Sequence, residues 1–194
     1  MPRSLHVGLA RVDTRAGACE AAFAYCDPAM PIRGRKVTLI TADAPFQWDF
    51  AQPFTLPLIV ATEEIDDYRH VNNAVYVRWL DRCAWAHSAA VGISIEDCKG
   101  MDRGMAVRRS QLEYLAPAFL NDAILVATWI TYNDRRLRIN RSFQVVAEST
   151  GKTLLRASLE YVCLALSTGR PVRMPPEFAQ RYQPTASIPF GGSS

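Results

Sequence analysis

One long stretch of helical period, followed by four stretches of strand period, constrains this chain more than any other feature. From about 74 to 91, Tyr76, Trp79, Leu80, Cys83, Ala84, Ala90 and Val91 recur at the spacing of a single helix face, and Gly92 stands where such a helix stops. Beyond a loop at 94–104 the period shifts toward 2. Met105–Leu115, Ala123–Tyr132, Leu137–Glu148 and Thr153–Leu166 read as strands, the third alternating through Leu137, Ile139, Arg141, Phe143 and Val145. Asn133–Arg136 and Ser149–Lys152 have the composition of tight hairpin turns. Upstream, Thr55–Thr62 is a further strand, which Pro57 assigns to a sheet edge because proline has no N–H for a ladder. Long antiparallel strands present an apolar face that needs cover, and one long helix is there to supply it. The expected fold is α+β, with a long central helix wrapped by a curled antiparallel sheet.

The rest of the chain reads less clearly. Residues 1–50 mix small residues, prolines and arginines without a clear period, and are expected to form an N-terminal extension dispensable for chemistry. The aromatic run Phe46, Trp48 and Phe50 is its one feature suited to packing on the main domain, 51–170. From Pro171 the chain turns proline-rich, and 171–194 is expected to run over the surface as a tail. A length of 194 residues favours one domain, long enough to bury a core without metal or disulfide staples.

Composition narrows the function classes. Lys36, Lys99 and Lys152 are the only lysines among 22 basic residues, so 19 are arginines, a residue suited to bidentate phosphate recognition. A GC-rich coding sequence gives the same bias. The pairs Arg108/Arg109 and Arg135/Arg136 are too sparse for a nucleic-acid tract. Five scattered cysteines without a C-x-x-C motif indicate neither zinc nor a disulfide framework. No apolar run approaches the roughly 20 residues of a membrane span. Arg11, Asp13, Arg15 and Glu20 interrupt the first stretch, leaving no secretory core. A cytoplasmic protein is expected.

Familiar nucleotide and hydrolase signatures fail. Ser149-Thr-Gly-Lys-Thr153 looks like the tail of a P-loop, but Val146 occupies the first glycine position and a strand follows. No G-x-S-x-G elbow is present. The informative segment is Glu63-Glu-Ile-Asp66-Asp-Tyr-Arg-His70-Val-Asn-Asn73-Ala-Val-Tyr76-Val-Arg-Trp-Leu-Asp81. A polar, acid-bearing turn runs into the N-terminus of the longest helix, where free N–H groups and the helix dipole favour an oxyanion or a polarised carbonyl. Asp66 and His70 arrive beside it, suited to nucleophilic or general-base work. On spacing alone, Asp66, Asp67 and Asn72 serve equally well as helix caps.

This segment resembles the hotdog-fold thioesterases of the 4-hydroxybenzoyl-CoA thioesterase/acyl-CoA thioesterase family, where an Asp in the turn after the first strand precedes a Tyr and a W-L-D-type helix. His70-Val-Asn-Asn73 is similar to the H-V-N-N of bacterial acyl-CoA and plant acyl-carrier-protein thioesterases, and Glu113-Tyr-Leu-Ala-Pro117 to the family's second-strand end. The likeness spans about 54–166. It implies Asp66 as catalytic nucleophile or base, the Asn73 backbone N–H as carbonyl polariser, His70 in proton transfer or substrate orientation, and Tyr76 in substrate binding. Arg135, Arg136 and Arg138 become candidates for the CoA phosphates, with plain solvation of strand-end arginines as the alternative. No metal or redox cofactor is required. The resemblance also implies a homodimer, or two dimers paired into a homotetramer, acting on acyl-CoA or an acyl carrier protein. The plant D-x-N-x-H pattern is broken, with Tyr68 at the Asn position, and the D-x-N-P-x-H of hotdog hydratases is absent. The competing reading is a non-catalytic acyl-thioester-binding or dimerisation module.

Overall fold

The computed structural model describes residues 47–185. Five strands, β1 (Phe54–Ile59), β2 (Gly104–Tyr114), β3 (Ala123–Asn133), β4 (Arg138–Ala147) and β5 (Thr153–Leu164), form one antiparallel sheet in the order β1-β3-β4-β5-β2. Helix α1 (Asn73–Ala90) covers one face. Two shorter helices, α2 (Ile95–Gly100) and α3 (Pro176–Arg181), complete the elements among the described residues, with a 3-10 turn at Thr62–Glu64. This is the hotdog architecture, α+β as expected. Among the described residues no helix is long and apolar enough to cross a membrane.

The core follows from two periods meeting. Helix α1 buries Val75, Tyr76, Trp79, Leu80, Cys83, Ala84, His87 and Ser88, alternately one and three residues apart along a single stripe. Against it, β4 turns in Ile139, Phe143 and Val145, and β5 turns in Leu155, Ala157, Leu159 and Tyr161. Gly92, at φ +83°, closes α1 in the left-handed conformation that glycine adopts without strain. Pro57 lies on the edge strand, opposite Leu125.

Strand β3 does not alternate between buried and exposed, because both its faces are covered. Its outer face, Ala127 and Trp129, is fully buried under the half-buried rings of Trp48 and Phe50. Both rings meet Trp129 edge-on, with centroids 6.2 and 5.4 Å away. The aromatic run before the domain therefore does pack on it. Phe46 and the residues before it lie outside the described residues.

The segment after Pro171 departs from the expected surface tail. Met174, Phe178 and Tyr182 are at most 3% exposed and belong to the main core. Tyr182 also joins a polar cluster beneath α1, where its hydroxyl donates to Ser88 Oγ at 3.0 Å. Arg141, 2% exposed, lies beside Tyr182 with its guanidinium carbon 5.3 Å from that ring's centroid. It donates to His87 Nδ1 at 2.8 Å and to Ser88 Oγ at 3.1 Å.

Because Arg141 can only donate, His87 Nδ1 accepts and the imidazole is neutral. Burial, reinforced by the Arg141 charge, pushes the His87 pKa down to about 4. The unfolded chain binds this proton near 6.5, so between about 6.5 and 4 it holds more protons than the native state. The native state keeps this advantage in full above 6.5 and loses it as pH falls toward 4, a change of about 3 kcal/mol. The expected result is a fall in denaturant midpoint between pH 6.5 and 4. His87→Gln, which keeps an acceptor for Arg141, should flatten that window.

Candidate active site

After β1 the 3-10 turn leads into a loop closed by a single antiparallel bridge between Ile65 and Val71. Within it, Asp66 N–H donates to the His70 carbonyl at 2.8 Å and Arg69 N–H to the Asp66 carbonyl at 2.9 Å. Arg69 takes φ +64° to make this tight reversal. Asp66 Oδ1 accepts from Tyr68 N–H at 2.9 Å and from His70 N–H at 3.3 Å. One carboxylate oxygen is thus pinned to the loop. Oδ2 has no hydrogen bond among the described residues.

Helix α1 begins immediately beyond. Asn72 is its N-cap: Oδ1 accepts from Ala74 N–H and the carbonyl from Val75 N–H, both at 2.9 Å. Asn72 N–H donates to the Glu64 carbonyl at 3.0 Å. These bonds leave Asn73 N–H, at the first helical residue, without a partner among the described residues. It is a free donor at the positive end of an 18-residue helix. The Tyr114 hydroxyl, at the end of β2, donates to the Asn73 carbonyl at 3.2 Å and ties this residue to the sheet.

The remaining residues of interest separate into two groups. His70 is exposed and stands edge-on to Phe119, with ring centroids 5.2 Å apart. Tyr68, Phe119 and Leu120 give this corner an open apolar surface, at 83%, 47% and 45% exposure. Tyr76, the residue expected at the substrate, is 2% exposed in the single protomer, and its hydroxyl accepts from Ala118 N–H at 3.0 Å. It fixes the β2–β3 connection against α1.

Arg135, Arg136 and Arg138 are exposed at the β3–β4 hairpin, which Asp134 Oδ1 organises by accepting from the N–H groups of Arg136, Leu137 and Arg138. β3 starts beside Ile59, next to the Asp66 turn, and ends at Asn133 beside α3. Eleven strand residues separate the two ends, about 33 Å at ~3.3 Å per residue. One protomer does not bring these arginines to its own Asp66. Arg138 instead faces Glu160, whose carboxyl is held low chiefly by its 2.6 Å bond to Arg108.

Two residues that hold the turn were not singled out from sequence, Glu64 and Tyr114. Glu64 shows only as one of two adjacent acids, and nothing in its spacing distinguishes it from Glu63.

A family model described as the Thioesterase-like superfamily matches residues 60–182. The chain belongs to that superfamily. The match runs through Phe178 and Tyr182, so the C-terminal segment that fills the core is part of this thioesterase-like domain. No curated protein matches the chain in sequence. Among solved structures, a Staphylococcus aureus protein in complex with CoA is 20% identical, with a TM-score of 0.64 over 74% of this chain and 94% of that one. A 1,4-dihydroxy-2-naphthoyl-CoA thioesterase from Synechocystis is 18% identical, with a TM-score of 0.61 over 68% of this chain and 96% of that one. A hypothetical Aquifex aeolicus protein is covered completely, at 19% identity and a TM-score of 0.62 over 68% of this chain. At such identities the likeness establishes the fold of this thioesterase-like chain.

Proposed function

We propose that the protein is an acyl-CoA thioesterase that hydrolyses an acyl thioester to a carboxylate and a free thiol. The observation that carries this is a carboxylate with one free oxygen, Asp66, in the short turn that leads directly into an unpartnered helix-terminal donor, Asn73 N–H. The thioester carbonyl oxygen takes the Asn73 N–H, and the helix dipole stabilises the negative charge that develops there. Asp66 then acts in one of two ways. As a base it takes a proton from water, the hydroxide adds to the carbonyl carbon, and the C–S bond breaks to release thiolate. As a nucleophile it adds to the carbonyl carbon, the C–S bond breaks to release thiolate, and the mixed anhydride so formed is cleaved by water to the product carboxylate and free Asp66. His70 orients substrate or returns the proton to the thiolate. Tyr76 sets the position of α1 from within the core, and no metal enters this scheme. The finer likeness to 4-hydroxybenzoyl-CoA thioesterases rests on Asp66, Asn73 and Tyr76–Asp81. The CoA complex of the Staphylococcus aureus neighbour supports a CoA thioester as substrate.

The test is thiol release from a panel of aliphatic and aromatic acyl-CoAs and acyl carrier proteins, followed with a thiol-reactive dye. Saturable binding without thiol release would overturn hydrolysis in favour of a binding module.

A dimer is part of the proposal. Among the described residues, strand β2 pairs only with β5, leaving one edge of an eleven-residue strand open, with Val107 and Tyr114 46% and 44% exposed along it. Such an edge is normally paired or protected. In a dimer, Arg135, Arg136 and Arg138 would serve the opposite protomer's substrate rather than their own. Light scattering is expected to return at least twice the 21.6 kDa chain mass at micromolar concentration. A monomer would sink this assembly and the shared site with it.

A further inference from the structure

The Asp66 turn is held from one place. Glu64 Oε2 accepts from Ala61 N–H at 3.1 Å, where the chain leaves β1. Its Oε1 accepts from the indole Nε1–H of Trp79 at 2.9 Å, and Trp79 is 1% exposed on the buried face of α1. Its backbone carbonyl accepts from Asn72 N–H, at the cap of the same helix, at 3.0 Å. One residue therefore joins the end of β1, the helix cap and the second turn of α1, and Asp66 lies two residues further on. We propose that Glu64 is a positioning residue, whose carboxylate clamps the turn onto Trp79 and thereby sets Asp66 against the Asn73 N–H. Its catalytic consequence rests on the thioesterase reading, while the clamp itself does not.

The chemistry of the clamp makes it testable. A carboxylate accepts at both oxygens, which is what two donors, Ala61 N–H and Trp79 Nε1–H, require. A carboxamide of the same shape has one acceptor and one N–H₂. Glu64→Gln must therefore set a donor against a donor on one side, and the turn shifts to relieve it. Misplacement of a reacting group by about 1 Å can cost on the order of 10²-fold in rate. The expected loss for Glu64→Gln is about 10- to 100-fold in kcat with little change in KM, because the carboxylate touches no substrate. Trp79→Phe removes one donor. In that background the introduced carboxamide has room for its N–H₂ and its oxygen can serve Ala61, so the cost of Glu64→Gln should shrink to a few-fold, a non-additivity characteristic of contacting groups.

The experiment is this four-member cycle in the full-length protein, with kcat and KM measured on the best acyl-CoA and thermal unfolding measured alongside. Amide and indole N–H resonances of Asp66, Asn73 and Trp79 are followed by NMR. Support is a kcat loss at constant KM, relieved by Trp79→Phe, with shifts at Asp66 and Asn73. Unchanged kcat and unmoved Asp66 and Asn73 amides in Glu64→Gln would overturn the proposal. So would a loss of activity that only tracks the unfolded fraction. A wild type that releases no thiol defeats the thioesterase reading alone, and the amide shifts then decide whether the clamp exists.

Discussion

Asp66→Asn is expected to lower turnover of the best acyl-CoA by at least about 10²–10⁴-fold while leaving the protein folded. The two halves of this expectation come from the two oxygens of one carboxylate. Oδ1 accepts from the N–H groups of Tyr68 and His70 and so shapes the loop. The asparagine Oδ1 can make the same two bonds, and the reversal at Arg69 survives. Oδ2 carries no such duty and is the atom assigned to attack, or to take the proton of the attacking water. Replacing it with N–H₂ removes both possibilities. Circular dichroism and thermal unfolding should match wild type within error, while steady-state thiol release collapses. A folded variant within about tenfold of wild type would mean that Asp66 only shapes the loop through Tyr68 and His70, a structural role of the kind its spacing also allowed.

That ambiguity shows what sequence carried and what it did not. Helix α1 and strands β2 to β5 were legible to within two residues because each is long enough to repeat its period several times. Helices α2 and α3 have six residues each and were missed. A six-residue helix completes fewer than two turns and leaves no periodic trace. The C-terminal segment did carry a signal, with Met174, Phe178 and Tyr182 four residues apart, but its prolines drew the reading toward a surface tail. Asp66, His70 and Asn73 could be grouped because one short turn carries Asp66 and His70 and runs directly into the helix at Asn73. Arg135, Arg136 and Arg138 could not be placed relative to that turn, since the distance between them is set by the length of β3. Tyr76 was legible as a helix residue, but whether it faces substrate or core depends on Ala118, forty-two positions away. Glu64 differs from Glu63 only in the direction its side chain takes within the 3-10 turn.

The same limit applied to the residues before the domain, and there the consequence for stability is large. From sequence, a chain starting near Ala51 is expected to fold and keep its rate, with some loss of thermal stability or an altered chain-length preference. The structure shows that such a chain loses a segment the sheet was built to receive. Arg156 holds Asp49 by a two-pronged contact at 2.7 and 2.9 Å. Gln144, fully buried on the outer face, accepts from Asp49 N–H and donates to the Gln47 carbonyl, at 2.9 and 3.1 Å. Without the segment, the Gln144 carboxamide keeps only its 2.9 Å bond to Thr153 Oγ1, and the Trp129 ring is opened to water. The Asp49–Arg156 pair is largely solvent-exposed and adds little by itself. The weight falls on Trp48 and Phe50, two half-buried aromatics whose apolar contact contributes about 3 kcal/mol together. For a protein of this size that corresponds to a melting temperature lower by about 6–12 °C. The comparison is between chains starting at Phe46 and at Ala51, each followed by thermal unfolding and by kinetics on one acyl-CoA. The shorter chain should melt at the lower temperature and keep its kcat while folded, since the segment lies across the sheet from α1 and the Asp66 turn is held by Ala61, Asn72 and Trp79. Equal melting temperatures would show that the aromatic contact with Trp129 carries no stability. A folded but inactive shorter chain would show that the segment completes the site.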